Sequence, residues 1–158
     1  MMDLEQDLKK EATRQGFTLA GITTPAPPDH LAVYQRWLQA GLHGEMVYLE
    51  RESALRQRAD PRLLLPECQS ILVVGMAYYP SRKRIGEKGE GMGRIAAYAW
   101  GEDYHAVIPE RLEALVNFLE RQLGRRVPYR AFTDSGPVLE RELAQRAGLG
   151  WIGKNTCL

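Results

Sequence analysis

Leu4, Leu8 and Ala12 recur at helical spacing behind Asp3 and Gln6, which are placed like a capping box, and Gly16 stands where that helix would stop. From Phe17 to Ile22 apolar and polar positions alternate weakly, which predicts a short strand leading into a loop at Pro25, Pro27 and Pro28. Asp29 is placed to cap a second helix with Leu31, Tyr34 and Leu38 on one face and Gly41 as its stop. A short helix is expected over Glu45 to Glu52, and Arg51 to Arg62 is a charged run ending in Asp60-Pro61. Ser70 to Tyr79 is the clearest strand signal. Its near-continuous apolar run predicts burial on both faces and a central place in a sheet, with Pro80 as terminator.

Ser81 to Gly93 holds four glycines among Arg, Lys and Glu with almost nothing apolar, the composition of a mobile loop or lid. Ile108, Leu112, Leu115, Val116, Leu119 and Leu123 form an amphipathic stripe, predicting a helix that begins near Pro109. Tyr129 to Thr133 reads as a strand. Ser135 then reads as the cap of a helix with Pro137 in its first turn, Leu139 and Leu143 on its buried face, and Gly148 as its stop. The pattern predicts an α/β (α+β) fold: a small mixed sheet with packed helices.

The 158 residues fit one domain, residues 1–158, large enough to bury a core. A net charge of +1 advertises neither nucleic acid nor membrane as a global partner, though it leaves room for a local basic patch. Cys68 and Cys157 have no metal-site spacing and suggest no disulfide framework, so a reduced, cytoplasmic setting is expected. The acidic start, Met1-Met2-Asp3-Leu4-Glu5, is no signal peptide, and the run from Ile71 to Tyr79 is too short to cross a bilayer.

Some motifs mislead. Gly148-x-Gly150-x-x-Gly153 spells the dinucleotide fingerprint, but a helix precedes it where the chemistry needs a strand before and a helix after. Gly153-Lys154-Asn155-Thr156 resembles the tail of a phosphate-binding loop, yet Asn155 stands where Ser or Thr would hold magnesium. His30, His43 and His105 are scattered and suggest no metal site.

Asp134 allows two readings. Together with Ser135 it can cap the helix that follows. It can equally be a general acid at the C-terminal edge of a strand, where sites on sheets often lie. A helix N-terminus favours the ionised carboxylate. A proton donor needs the neutral form, which burial under a large apolar ligand supplies. Tyr98, Trp100, Tyr104 and His105 could line a pocket for a flat ring or simply pack at a helix entrance. Arg58, Lys154 and Asn155 could bind phosphate or amide groups, and Arg58 could equally sit on a solvated charged face.

Five segments, taken in order, carry a family resemblance. They are Gly44-Glu45-Met46-x-Tyr48-Leu49; Arg58-x-Asp60-Pro61-Arg62-x-Leu64-Leu65-Pro66; Arg94-Ile95-Ala96-x-Tyr98-Ala99-Trp100-Gly101-x-Asp103-Tyr104-His105; Asp134-Ser135-Gly136-Pro137-Val138-Leu139-Glu140-Arg141; and Gly150-Trp151-Ile152-Gly153-Lys154-Asn155-Thr156. Their order and spacing resemble the N-terminal part of epoxyqueuosine reductase, over nearly the whole chain. The resemblance implies a nitroreductase-like, cobalamin-binding domain acting in queuosine biosynthesis on tRNA that carries epoxyqueuosine. It also implies two [4Fe–4S] clusters, fed by an electron donor, on a segment elsewhere. By this resemblance Asp134 is the proton donor, and Arg58, Tyr98, Ala99, Asp134, Lys154 and Asn155 contact cobalamin.

The chain departs from that family in lacking the runs of cluster-binding cysteines, so it offers no metal ligands of its own. The ferredoxin-like cluster domain and the helical repeats are absent too. An excised domain, a truncated frame or half of a split enzyme would then need a C-terminal portion or partner chain. Two further readings stand beside it: a cobalamin-binding fragment without catalysis, and a flavin nitroreductase-like enzyme.

Overall fold

Leu8, Ala12, Phe17 and Leu115 pack into one buried cluster, with Ala20, Ile22, Leu72, Val74, Ile108, Leu112 and Phe118 closed around it. The elements that supply them are seen in a computed structural model describing residues 3–78, 93, 95–99 and 101–158. Helix α1 (Leu4–Arg14) leads to strand β1 (Leu19–Thr23), then α2 (Leu31–Gln39), α3 (Glu52–Ala59), β2 (Ile71–Gly75), the long α4 (Tyr104–Leu123) and the short α5 (Glu140–Arg146). Single 3-10 turns lie at Val47–Leu49, Pro61–Leu63 and Ala97–Ala99.

The local signals for α1 hold. The Asp3 carboxylate accepts the Gln6 N–H at 3.4 Å. Helices α1, α2 and α5 end in the same double bond pattern, in which the glycine N–H (Gly16, Gly41, Gly148) and the next N–H reach back to carbonyls of the last turn. The expected helix at 45–52 is instead the 3-10 turn, with α3 formed from the charged run behind it. Helix α4 starts earlier than expected. Asp103 caps it by accepting the His105 N–H at 2.9 Å, and Pro109 lies inside.

β1 and β2 pair antiparallel, Ala20 opposite Val74 and Ile22 opposite Leu72. Those four side chains face the cluster between α1 and α4. The other face meets α5. A methyl group on Gly21 would stand 2.4 Å from the Ala147 carbonyl oxygen and 2.9 Å from Leu149, so a bare Cα is what lets the end of α5 lie on the sheet. β2 is therefore not a central strand. It is half-buried throughout and pairs only with β1 among the described residues, its apolar run serving a helix layer on each side. Residues 129–133 form no strand, because no neighbouring chain takes up their backbone groups as a ladder. The fold class is α+β, and among the described residues the sheet is two-stranded and antiparallel. The Gly-rich loop expected at 81–93 falls almost wholly outside the described residues, as do Tyr79, Arg94 and Trp100. No described helix is long and apolar enough to cross a membrane.

Candidate active site around Asp134

Gly136-Pro137 delays α5. The residue before a proline is biased away from helix, and the chain bends through Ser135–Val138 before α5 begins at Glu140. Asp134 and Ser135 therefore cap no helix, and the capping reading is removed. The bend folds tightly over Phe132, whose ring would lie 2.4 Å from a Cβ added at Gly136. Asp134 itself sits at φ 56°, in the left-handed region that an aspartate tolerates better than most side chains.

Two bonds fix Asp134. Its N–H donates to Glu140 Oε1 at 3.0 Å. Its Oδ2 accepts the Tyr104 hydroxyl at 3.1 Å. Tyr104 opens α4, so the N-terminal turns of the two last helices meet across this aspartate. Desolvation, then the hydrogen bond to Asp134, push the Tyr104 phenol up from its ordinary range, which keeps it protonated as a donor. Desolvation also raises the Glu140 carboxyl, and the neighbouring Asp134 charge adds to the shift against the pull of the Asp134 N–H. His105 stacks on Tyr104 with ring centroids 4.0 Å apart, and its Nδ1 lies 2.9 Å from Asp103 Oδ1. Bonds from His105 hold the Asp103 carboxyl below its usual range.

Two open depressions flank this junction. One, of about 310 Å³, is lined by Tyr98, Ala99, Gly101, Glu102, Asp103 and Tyr104. The other, of about 170 Å³, is lined by His105, Pro109, Leu112, Ala131, Thr133 and Ser135. Thr133 Oγ1 is buried there without a partner among the described residues, so a polar donor or acceptor is available at its wall. Tyr98 stands 60% exposed beside the first depression, offering a bare aromatic face.

The remaining candidates divide. Lys154 and Asn155 lie in a turn closed by Gly153 N–H to Cys157 O at 2.8 Å, with Asn155 Oδ1 accepting the Cys157 N–H. Arg141 in the first turn of α5 bonds the Thr156 carbonyl, so one helical turn, through Glu140 and Arg141, ties this segment and Asp134 together. The Lys154 side chain forms no hydrogen bond or ion pair among the described residues. Arg58 is not brought to this group. It is 8% exposed, lies 5.4 Å over the Tyr34 ring and donates to Ala54 O, a packing role between α2 and α3.

Sequence reasoning missed Glu140 and Glu142. Glu142 is 3% exposed and accepts the N–H groups of Asp29 and His30, the latter at 3.0 Å, so it ties the turn that leads into α2 to α5. Arg146 bonds the carbonyls of Thr24, Ala26 and Pro27 in the same loop. The partners of Glu142 and Arg146 lie more than a hundred residues upstream, and no local pattern announces them; Glu140 stands only six residues from Asp134, where its spacing was the available signal. Among the described residues no group of three or more His, Cys, Asp or Glu could hold a metal ion.

Comparison with known proteins places this geometry. The family described as Epoxyqueuosine reductase QueG, DUF1730, matches residues 58–135. The epoxyqueuosine reductase of Pseudomonas aeruginosa is 39% identical over 155 residues, which are 97% of this chain and 42% of that protein. A crystal structure of epoxyqueuosine reductase with an epoxyqueuosine-modified tRNA-Tyr stem loop superposes with a TM-score of 0.81 at 30% identity, covering 98% of this chain and 40% of the other. A Bacillus subtilis epoxyqueuosine reductase, described with an aspartate catalytic loop swung out of the active site, gives 0.75 at 29% identity over 98% and 40%. The chain thus spans less than half the length of the relatives it matches.

Proposed function

We propose, for a chain that belongs to the epoxyqueuosine reductase family, that it forms the cobalamin-holding, proton-donating domain of an enzyme reducing epoxyqueuosine to queuosine in tRNA. The observation that carries this is Asp134. It caps no helix, its backbone is held in a disfavoured conformation, its chain neighbours Thr133 and Ser135 line one open depression, and its hydrogen-bond partner Tyr104 lines the other.

The residues fit a large flat cofactor in part. Neither depression would enclose one, since both lie at or below the small end of ligand pockets. Such a ligand would lie across the surface, with the ring of Tyr98 and the edge at Ala99 beneath it and the Lys154 ammonium and Asn155 amide as polar contacts. Arg58 is the member of the expected set whose guanidinium the surface shows least. Bound cobalamin would supply the electrons that open the epoxide. The chain's own part is the proton. Breaking the C–O bond leaves negative charge on oxygen, and a carboxylic acid at Asp134 neutralises it. A ligand lying over Asp134 would exclude water and favour the protonated carboxyl. Tyr104 orients that carboxyl through Oδ2. Reduction to the alkene consumes an electron pair and two protons and releases the oxygen as water.

The described residues do not fit an iron–sulfur cluster. Electron delivery and part of the tRNA grip would come from a C-terminal portion or a partner chain, in the cytoplasm where tRNA is modified. The test is Asp134→Asn in the complete enzyme. Asparagine keeps the left-handed turn and an acceptor for Tyr104 but has no acidic proton to give. Corrinoid absorbance should persist while turnover falls about 100-fold or more; undiminished turnover sinks the assignment. A flavin spectrum after reconstitution would favour the nitroreductase-like reading instead.

A further inference from the structure

We propose that Glu140 is the positioning residue of this site: by accepting the Asp134 amide it fixes the left-handed turn that directs the Asp134 carboxyl to the Tyr104 hydroxyl. The inference rests on the reading of Asp134 as the acid and adds a residue to it.

Asp134 has a conformational cost to meet, since its φ of 56° is disfavoured for a residue with a Cβ. Tyr104 cannot meet that cost alone. It grips the end of a rotatable side chain and leaves the backbone free. The bond that constrains the backbone is the one from Asp134 N to Glu140 Oε1, at 3.0 Å. Glu140 can serve as a fixed post because its helix is anchored independently. Glu142 and Arg146 lock α5 to the 24–30 segment, and Gly21 lets its far end lie on the sheet. The bend between them is also spent: Gly136 is pressed on Phe132, so the loop has little room to take another path while the Glu140 bond holds. With the Glu140 bond broken, the Asp134 backbone would lose its tether to α5 and relax to an ordinary φ, carrying the carboxyl off Tyr104.

The test reads the turn directly, with no cofactor or substrate present. Amide hydrogen exchange is followed by NMR in the 158-residue chain for wild type, Glu140→Ala, Glu140→Gln and Tyr104→Phe. Exchange at Asp134 should accelerate about tenfold or more in Glu140→Ala, the loss expected for a bond to a charged acceptor. It should stay near wild type in Glu140→Gln, whose amide oxygen still accepts, and in Tyr104→Phe. Amides of α4 serve as the control for global unfolding. Unchanged exchange in Glu140→Ala overturns the proposal, and so does equal acceleration in Glu140→Gln. In the complete enzyme Glu140→Ala should lower kcat with KM unchanged, and Glu140→Gln should restore it. Exchange can fail this test while Asp134→Asn still abolishes turnover, and it can pass while Asp134→Asn remains active, so the two ideas fall separately.

Discussion

Replacing Glu142 by alanine removes a carboxylate that no neighbour can substitute. Its side chain is 3% exposed, and its two oxygens accept the N–H groups of Asp29 and His30, with His30 Nδ1 a further 3.3 Å away. Helix α2 has no side-chain cap of its own. Two hydrogen bonds to a charged acceptor are each worth about 1.5–3 kcal/mol. Asp29 and His30 are exposed, so water can refill the vacated sites, and the low end applies, for a total of about 3 kcal/mol. A protein of this size loses about 2–4 °C in Tm per kcal/mol, so the midpoint should drop by about 6–12 °C. Glu142→Gln keeps one acceptor and should lose about half as much. Thermal melts followed by far-ultraviolet circular dichroism, with guanidinium titrations to confirm an unchanged m value, give both numbers. An alanine variant melting within about 2 °C of wild type, or a glutamine variant as unstable as alanine, would show that the tie is idle.

Gly21→Ala should cost about 1–3 kcal/mol, because the new methyl meets the Ala147 carbonyl at 2.4 Å and backbone has to move; a melt indistinguishable from wild type refutes the tight α5–sheet contact. Burial holds the Glu140 carboxyl above its usual range, so folding favours its protonated form. Its stabilising contribution is complete below the unfolded value and is lost as pH rises through the folded one. The Tm of Glu140→Gln should therefore gain on wild type between acid pH and neutrality, and parallel Tm–pH curves would contradict this. The 158-residue chain reconstituted with cobalamin should show corrinoid absorbance without turning over epoxyqueuosine tRNA. Turnover by that chain alone would refute the need for a further electron-transfer segment.

Much of the helical frame was legible because its signals are local. Asp3 with Gln6, the glycine stops at 16, 41 and 148, and the α4 stripe each act within a turn or two. What failed was non-local or competed with itself. The apolar run of β2 was read as a central strand, although two helix layers bury a two-stranded ribbon equally well. Tyr129 to Thr133 had strand-like composition and no partner. Asp29 is a good cap by type, yet the cap position falls at His30 and the Asp29 backbone is taken up by a carboxylate from α5. At the candidate site Asp134 was singled out for a reason independent of its surroundings, the Asp-Ser-Gly-Pro motif. Its support is not legible locally: Ser135 has the residue type of a cap, but Gly136-Pro137 moves the helix start to Glu140. Tyr104 was read as one of several aromatics; only the fold shows that its hydroxyl reaches Asp134.

The contacts that close this fold also set the order in which it can be made. Thr18 bonds Gly75 across 57 positions, Arg111 bonds the Gln15 carbonyl across 96, and Arg146 bonds the Thr24 carbonyl across 122. A ribosome releasing the chain from the N-terminus therefore exposes α1 and β1 long before their partners exist. The sheet cannot be covered on one face until α4 has emerged, or on the other until α5 has. Because α5 carries Glu140, Glu142 and Arg146, the turn that presents Asp134 is set only when that helix docks. A nascent chain halted before α5 would leave the ribbon half-bare and a target for chaperones or proteases.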